Sequence, residues 1–465
     1  MCAQNNRYLY SLKILKDKIN EFVGANSLDD NSLTSLIFNF DKIDFLSILN
    51  NIQNRKERYF YTTQVAEGIR FLGFDSIFEV NETGMLRLEN TAKKIMTLED
   101  NFFSNWDEFN LDSIPLFLGG MKFSTNTIDN LWNNFADSEW FVPKFLFFEQ
   151  NSKQYLVYDF YGQYYDNSND LEVLKSILKT NILESKSIGK IAISSNGKEK
   201  AKWVENVNRA LEKIESGEVQ KIVLSRQVDI ELEDSISISK VLNTLGERYP
   251  RCYVFAFRKD ESIFFGASPE KLAKISKGWI EADALAGSIS RGKTSAEDDS
   301  LADTLLCSKK DLAEQDIVVS FIKDSFERFC DNVLYEEKPI IRKLPNIQHL
   351  WTPIKGKISK DESVFSVLKE LHPTPAICGV PWTKARDSII EMEPHNRGLF
   401  SGMIGWFNLE TEGEFAVAIR SALLKEKSIH AFAGCGIVKG SDSEIEYAES
   451  ELKLKPIISL FESIK

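Results

Sequence analysis

The feature that most restricts how this chain can fold is Phe432-Ala-Gly-Cys-Gly-Ile-Val-Lys439, followed directly by a polar, helix-like segment over residues 441–455. Gly434 and Gly436 let a backbone approach a ligand where any side chain would clash, and a turn built on them leaves N–H groups suited to an anion. Ser441 with Glu444 reads as a capping box opening a helix, and Glu446, Glu449 and Lys453 then fall at i, i+3 and i+7 on one face. Two carboxylates beside a lysine point to a hard metal next to an anion. A solvated helix face with one Glu-to-Lys i,i+4 pair gives the same pattern, and the segment alone does not separate the two.

Upstream, Trp203, Val207, Leu211 and Ile214 mark a helical stripe leading into a strand over residues 219–228. There Ile222, Leu224 and Val228 form one apolar face, and Lys221 shares the other with Val223 and Ser225. Such a lysine is either an edge-strand charge that discourages aggregation or an amine held in a dry cleft with a lowered pKa. Residues 264–272 and 284–292 read as strand-and-glycine-turn elements, with Glu270 at a turn where it caps a neighbour or faces a cleft. Residues 309–330 read as a helix with Leu312, Val319, Ile322 and Phe326 inward and with Asp311 and Glu314 on one face, echoing Glu446 and Glu449. Two acidic i,i+3 pairs can supply oxygen ligands for one Mg²⁺. Residues 371–376, His372-Pro-Thr-Pro included, form a shaped loop. Residues 398–408 and 415–424 read as strands. Arg420 emerges among Ala416, Ala418 and Ala422, which suits either a bidentate carboxylate clamp or a structural ion pair.

Toward the N-terminus, Leu12, Leu15, Ile19 and Phe22 give a packing helix, residues 117–123 a strand with a tight glycine turn, and residues 154–161 another strand. Asn/Asp clusters near 25–31 and 165–170 are loops. No linker, repeat or low-complexity tract interrupts the 465 residues. The expected organisation is one intertwined domain, an N-terminal part over residues 1–190 completing a catalytic region over 200–465. The net charge of −12, without a basic stripe, argues against nucleic acid. No run approaches the ~18–20 apolar residues of a spanning helix, so a cytoplasmic protein with no membrane partner is expected. Six cysteines without CxxC spacing exclude a zinc knuckle or disulfide framework, and four dispersed histidines leave an oxygen-bound, magnesium-like ion as the metal to expect.

Taken in order, Lys221-Ile-Val-Leu-Ser-Arg226, Phe265-Gly-Ala-Ser-Pro-Glu270, Leu285-Ala-Gly-Ser288 with Arg291-Gly292, His372-Pro-Thr-Pro-Ala376, Arg397-Gly398 and Gly434-Cys-Gly-Ile-Val438 with Glu446, Glu449 and Lys453 closely resemble the chorismate-utilising enzymes, and within them the isochorismate synthases. The match spans residues 200–460; the N-terminal third resembles the family mainly through Phe117-Leu-Gly-Gly120. The resemblance implies an α+β single domain of two large, mostly antiparallel sheets packed face to face with helices outside, and a Mg²⁺ site between them. It makes Glu314 and Glu449 the magnesium ligands, with Asp311 and Glu446 in support. Gly287, Ser288, His372, Arg420, Gly434, Gly436 and Lys453 would hold chorismate. Ser288 stands where the family usually has Thr, and its hydroxyl is expected to keep the contact; Phe400 stands where many relatives place Tyr, although some isochorismate synthases also have Phe, and the resemblance implies one hydrogen bond to a carboxylate fewer.

Within the family, members that add water resemble this chain in having Lys221, whereas those that add ammonia to make anthranilate lack it. Ala286 disfavours aminodeoxychorismate synthesis, which often uses Lys there. The His372 loop looks like the isochorismate synthase version rather than the salicylate synthase one. The resemblance therefore implies an isomerase: Lys221 takes a proton from water attacking C2 of chorismate while Glu270 protonates the hydroxyl leaving C4. A salicylate synthase, which also expels pyruvate, is the nearest alternative, followed by anthranilate synthase component I and a non-catalytic chorismate-binding homologue. No glutamine amidotransferase partner is expected, and the chain is expected to be a monomer or weak dimer.

Overall fold

The computed structural model describes residues 2–461 except 41, 56, 110, 112, 126–129, 163–167, 179–190, 194–197 and 360–361. Among these, thirteen strands form one sheet and ten another, both rich in antiparallel pairs, and helices complete an α+β fold. Burial along the strands shows how the layers stack. In Tyr253–Lys259 and Ser262–Ser268, Phe255, Phe257 and Phe264 enter a core shared with Phe117, Phe141, Ala273 and Phe415 of the second sheet. The alternate residues, Val254, Ala256, Ile263, Phe265 and Ala267, pack instead with Phe45 and Leu49 of the Phe45–Ile52 helix and Val241 and Leu245 of the Ile238–Arg248 helix. Every residue of Ser262–Ser268 is buried for that reason. Sheet lies against sheet inside, and helices cover the outer face. Each fully buried Phe contributes roughly 1.5–3 kcal/mol to set against the entropy of ordering its strand.

The two ends of the chain are woven into both sheets. Tyr253–Lys259 pairs with Tyr59–Gln64, Ala256 opposite Tyr61, and Met403–Phe407 pairs with Phe117–Met121, Gly405 opposite Gly119. The Cys2–Ala25 helix lays Leu12, Leu15 and Ile19 on the outer core. No described helix is long and apolar enough to cross a membrane, and the described cysteines are free.

Several local expectations are corrected by long-range partners. Phe117–Met121 runs straight through its glycines, because a Cβ at Gly119 would sit 2.0 Å from the Glu139 carbonyl oxygen of the next strand. Gly266 likewise lies inside a strand, not a turn. Gly434 and Gly436 lie within Ser428–Ile437, opposite Ser225 and Val223, rather than in a turn. The helix that follows, Ser443–Ile458, is capped by Asp442, whose side chain accepts from the N–H groups of Glu444 and Ile445; the Ser441 hydroxyl accepts from Val438 instead. Residues 415–424 are two strands in different sheets: Gly413–Val417 pairs with Met403–Phe407, and Ser421–Lys425 with Ser262–Ser268. The strand expected over 398–408 is confined to Met403–Phe407, and the helix expected over 309–330 ends at Phe326. Residues 168–170 open the Ser168–Ile177 helix rather than a loop; residues 165–167 lie outside the described residues.

Candidate active site

Strands, helices and loops from both halves of the fold meet around a cavity of about 60 Å³. Val223 of Lys221–Leu232 and Gly434 and Gly436 of Ser428–Ile437 form one wall. Leu285, Gly287 and Ser288 of Trp279–Ser290 form another, and Glu270, Glu314, Arg420, Glu449 and Lys453 line the space between. Gly287 interrupts its strand with a bulge, the register slipping between Ala286 and Ser288, and takes φ 64. That left-handed conformation favours glycine and turns Ser288 into the cavity.

Lys221 opens its strand and is fully buried, 0% exposed, behind Glu314 and Gly436, which line this cavity, rather than lining it itself. Its Nζ lies 2.9 Å from Glu314 Oε1, without the alignment of a hydrogen bond. Gly436 is required here: a Cβ would meet Glu314 Oε1 at 2.3 Å and Lys221 Cε at 2.8 Å. The lysine is thus buried beside the cavity rather than an exposed edge-strand charge.

Glu270 sits between Ser262–Ser268 and Lys271–Ser276, facing the same cavity. Burial pushes its carboxyl up to about 8; the negative charge of Asp283 adds to that, against Lys221, Arg420 and Lys453. Near neutral pH it is therefore mostly a protonated acid, 4% exposed, in front of a lysine.

The remaining charges come from two helices. Lys309–Phe326 presents Asp311 and Glu314, and Ser443–Ile458 presents Glu446, Glu449 and Lys453. Glu446 pairs with Lys310 at 2.5 Å, Glu449 with Lys453 at 2.6 Å, and Asp311 with the Ser308 hydroxyl. Burial and the neighbouring Glu449 push Glu446 up, whereas for Glu449 the opposing effect of burial is outweighed by Lys453, which holds the carboxyl down. Burial also raises Asp311, and the charges of Glu314 and Glu449 add to it. The carboxylates of Asp311, Glu314, Glu446 and Glu449 are the oxygen donors a hard divalent cation takes, but Asp311 and Glu314 do not belong to the group of three donors that lie within reach of one ion among the described residues. Cys435, Glu446 and Glu449 bring one ligand atom each within 4.8 Å of one another.

Lys453 also donates to the Gly434 carbonyl at 3.0 Å. That carbonyl, and with it the amide of the same residue, points away from Lys221–Leu232 toward the edge left open where the pairing with Ser421–Lys425 ends at Phe432. By strand alternation the Gly436 amide points the same way. Arg420 reaches the cavity from the crossover between sheets, where it takes φ 51. His372, expected at the ligand, lies behind it: fully buried, it donates from Nε2 to the Ser401 carbonyl at 3.3 Å, and burial pushes its pKa down to about 3. It shapes the wall that Ser401 forms and does not line the cavity.

Sequence reasoning missed His349, which does line it. Its Nδ1 lies 3.1 Å from the Gly287 carbonyl and 3.0 Å from the Ser288 hydroxyl, and its Nε2 lies 3.1 Å from Arg420 Nη2. No motif announced it, because its role depends on the bulge at Gly287 and on Arg420, both distant in sequence. A larger recess lined by Ile389, His395, Asn396 and His430 contains none of these acid–base groups.

A profile of the chorismate binding enzyme family matches residues 17–462. The chain belongs to that family. Among its chorismate-binding relatives, isochorismate synthase MenF of Bacillus subtilis (strain 168) is 31% identical over 457 residues, 96% of each protein. Isochorismate synthase EntC of Escherichia coli (strain K12) is 33% identical over 264 residues, 57% of this chain and 68% of its own. The solved structure of MenF, the menaquinone-specific isochorismate synthase of Escherichia coli, superposes with a TM-score of 0.80 over 97% of this chain and 100% of its own; at 21% identity it speaks to the fold. The enzyme fold expected from the sequence is the fold observed.

Proposed function

We propose that this chain is an isochorismate synthase, a Mg²⁺-dependent isomerase that converts chorismate to isochorismate. One observation carries the reading: a buried, protonated glutamate, Glu270, lines a cavity whose other walls carry carboxylate-binding cations and carboxylates, and a buried lysine, Lys221, stands 2.9 Å from Glu314, which lines it too. The similarity to isochorismate synthase MenF over nearly the whole of both chains supports it.

In this mechanism chorismate enters with its carboxylates toward Arg420, Lys453 and the outward amides of Gly434 and Gly436. Water attacks C2, and the new C–O bond forms as Lys221 accepts the water proton. The ring double bonds shift, the C4–O bond breaks, and Glu270 gives its proton to the departing hydroxyl, which leaves as water. Glu314 and Glu449 would hold Mg²⁺, with Asp311 and Glu446 supporting them. When bound, the ion would neutralise the ring carboxylate and orient the dianion in an acidic protein. Lys221 lies 2.9 Å from Glu314, so the proposed ligand carboxylate and the proposed base are neighbours.

Because water is the nucleophile, no amidotransferase partner is required, and every proposed group comes from one chain. The reading therefore goes with a monomer or weak dimer in the cytoplasm. Incubation of the purified chain with chorismate and Mg²⁺, followed by chromatography, tests it: isochorismate is the expected product. Salicylate with pyruvate, or anthranilate once ammonia is added, would replace it with another member of the family.

A further inference from the structure

We infer that His349 is a positioning residue for the carboxylate clamp: clasped between the Gly287–Ser288 bulge and Arg420, its ring aims the guanidinium into the cavity. The inference rests on the proposed reaction only in naming chorismate as the anion that Arg420 meets.

Arg420 needs such a guide. It stands where the chain leaves one sheet for the other, with φ 51, so its own strand does not set its direction. Its guanidinium is buried, 5% exposed, and His349 is the side chain that bonds it among the described residues. A buried guanidinium held by an uncharged partner keeps its remaining donors for a ligand carboxylate.

The chemistry of the pair fixes the tautomer. Arginine only donates, so His349 Nε2 accepts, and the ring proton sits on Nδ1. There it has two acceptors, the Gly287 carbonyl at 3.1 Å and the Ser288 hydroxyl at 3.0 Å. Burial, with the positive charges of Arg420 and Lys453, holds the ring neutral and preserves its acceptor. Ser288 in turn hydrogen-bonds Glu449. One continuous chain, Glu449 to Ser288 to His349 to Arg420, therefore ties the carboxylates to the clamp.

Two measurements test this. In the whole chain labelled with ¹⁵N-histidine, where His349→Gln assigns the signal among four histidines, Nε2 should resonate as an unprotonated acceptor nitrogen and Nδ1 as protonated. The opposite tautomer overturns the inference without reference to any variant's folding. In steady state, His349→Leu should raise KM for chorismate about ten-fold or more, with kcat falling less, because a hydrogen bond to a charged group is lost. His349→Gln, whose amide can accept from Arg420 and donate to Gly287, should recover most of that loss. An unchanged KM in the leucine variant, or a glutamine variant no better than it, removes His349 from the clamp. Should wild-type protein leave chorismate unconverted, the functional reading fails by itself, and the tautomer still decides the placement of His349.

Discussion

Lys221 and Glu270 are buried close enough that the charge of the lysine acts on the carboxyl of the glutamate. Lys221→Ala removes the proposed base and the counter-charge of Glu314 together. Turnover should fall by roughly 10²–10⁴. Mg²⁺ affinity, read by calorimetry, should not weaken, because an uncompensated carboxylate attracts a cation more strongly; a weakened affinity would show that Lys221 builds the cation site rather than opposing it. Glu270 must be protonated to act, and its pKa lies at about 8. The profile of kcat/KM against pH should therefore fall above about 8, and Glu270→Gln should lose most turnover. The same shift has a stability consequence with a definite sign. A carboxyl whose folded pKa is raised is more easily ionised in the unfolded chain, so it costs stability from the ordinary value of 4.5 upward and in full above about 8. Glu270→Gln should therefore melt above the wild type in alkaline buffer and level with it below pH 4.5; equal melting at both would mean that the carboxyl is not held protonated by the fold.

Elements with a strong local pattern were legible from sequence. The stripe Trp203, Val207 and Ile214 is one buried face of Lys198–Glu215, and the alternation around Lys221 is that of a strand buried on both faces. What was not legible depends on partners distant in sequence. The crossover at Arg420 is hidden because buried strands on either side of it continue one alternation, and only their partners in different sheets reveal the break. The Gly287 bulge is likewise defined by the facing Ile347–Ile358 strand, which also supplies His349. The acidic pairs on the two helices were readable at i,i+3 spacing; that Lys310 answers Glu446 was not, since 136 residues separate them. The bulge makes a direct test possible. Gly287→Ala must adopt φ 64 with a Cβ 3.0 Å from that of Asp311. It should cost about 1–2 kcal/mol by denaturant titration and more activity than that loss explains, because Ser288 and His349 move with the bulge. A variant with wild-type activity would disconnect the bulge from the site.

The six ordered motifs identified the family from the C-terminal two-thirds, yet both sheets are completed by strands that carried almost no family signal. Tyr59–Gln64 continues one and Phe117–Met121 the other, each edge-to-edge with a strand from beyond residue 250. Their sequences are generic aromatic and glycine strands, so pairing alone gives them meaning. Expressed alone, residues 198–465 should fail to form a soluble, cooperatively melting protein, since Tyr253–Lys259 and Met403–Phe407 would expose unpaired edges and the core face bearing Phe255 and Phe257. A stable fragment that binds chorismate would show that the N-terminal part is an accessory rather than half of the fold. At the same scale lies the claim that the whole architecture exists to hold one ring between an amine that activates water and an acid that releases hydroxide. Running the reaction with Mg²⁺ in ¹⁸O-labelled water and weighing the isochorismate by mass spectrometry tests that claim most directly. The account predicts one labelled oxygen, at C2, in each product molecule and none in Lys221→Ala over the same time; unlabelled isochorismate would mean that the ring's own hydroxyl migrates and that no water is activated.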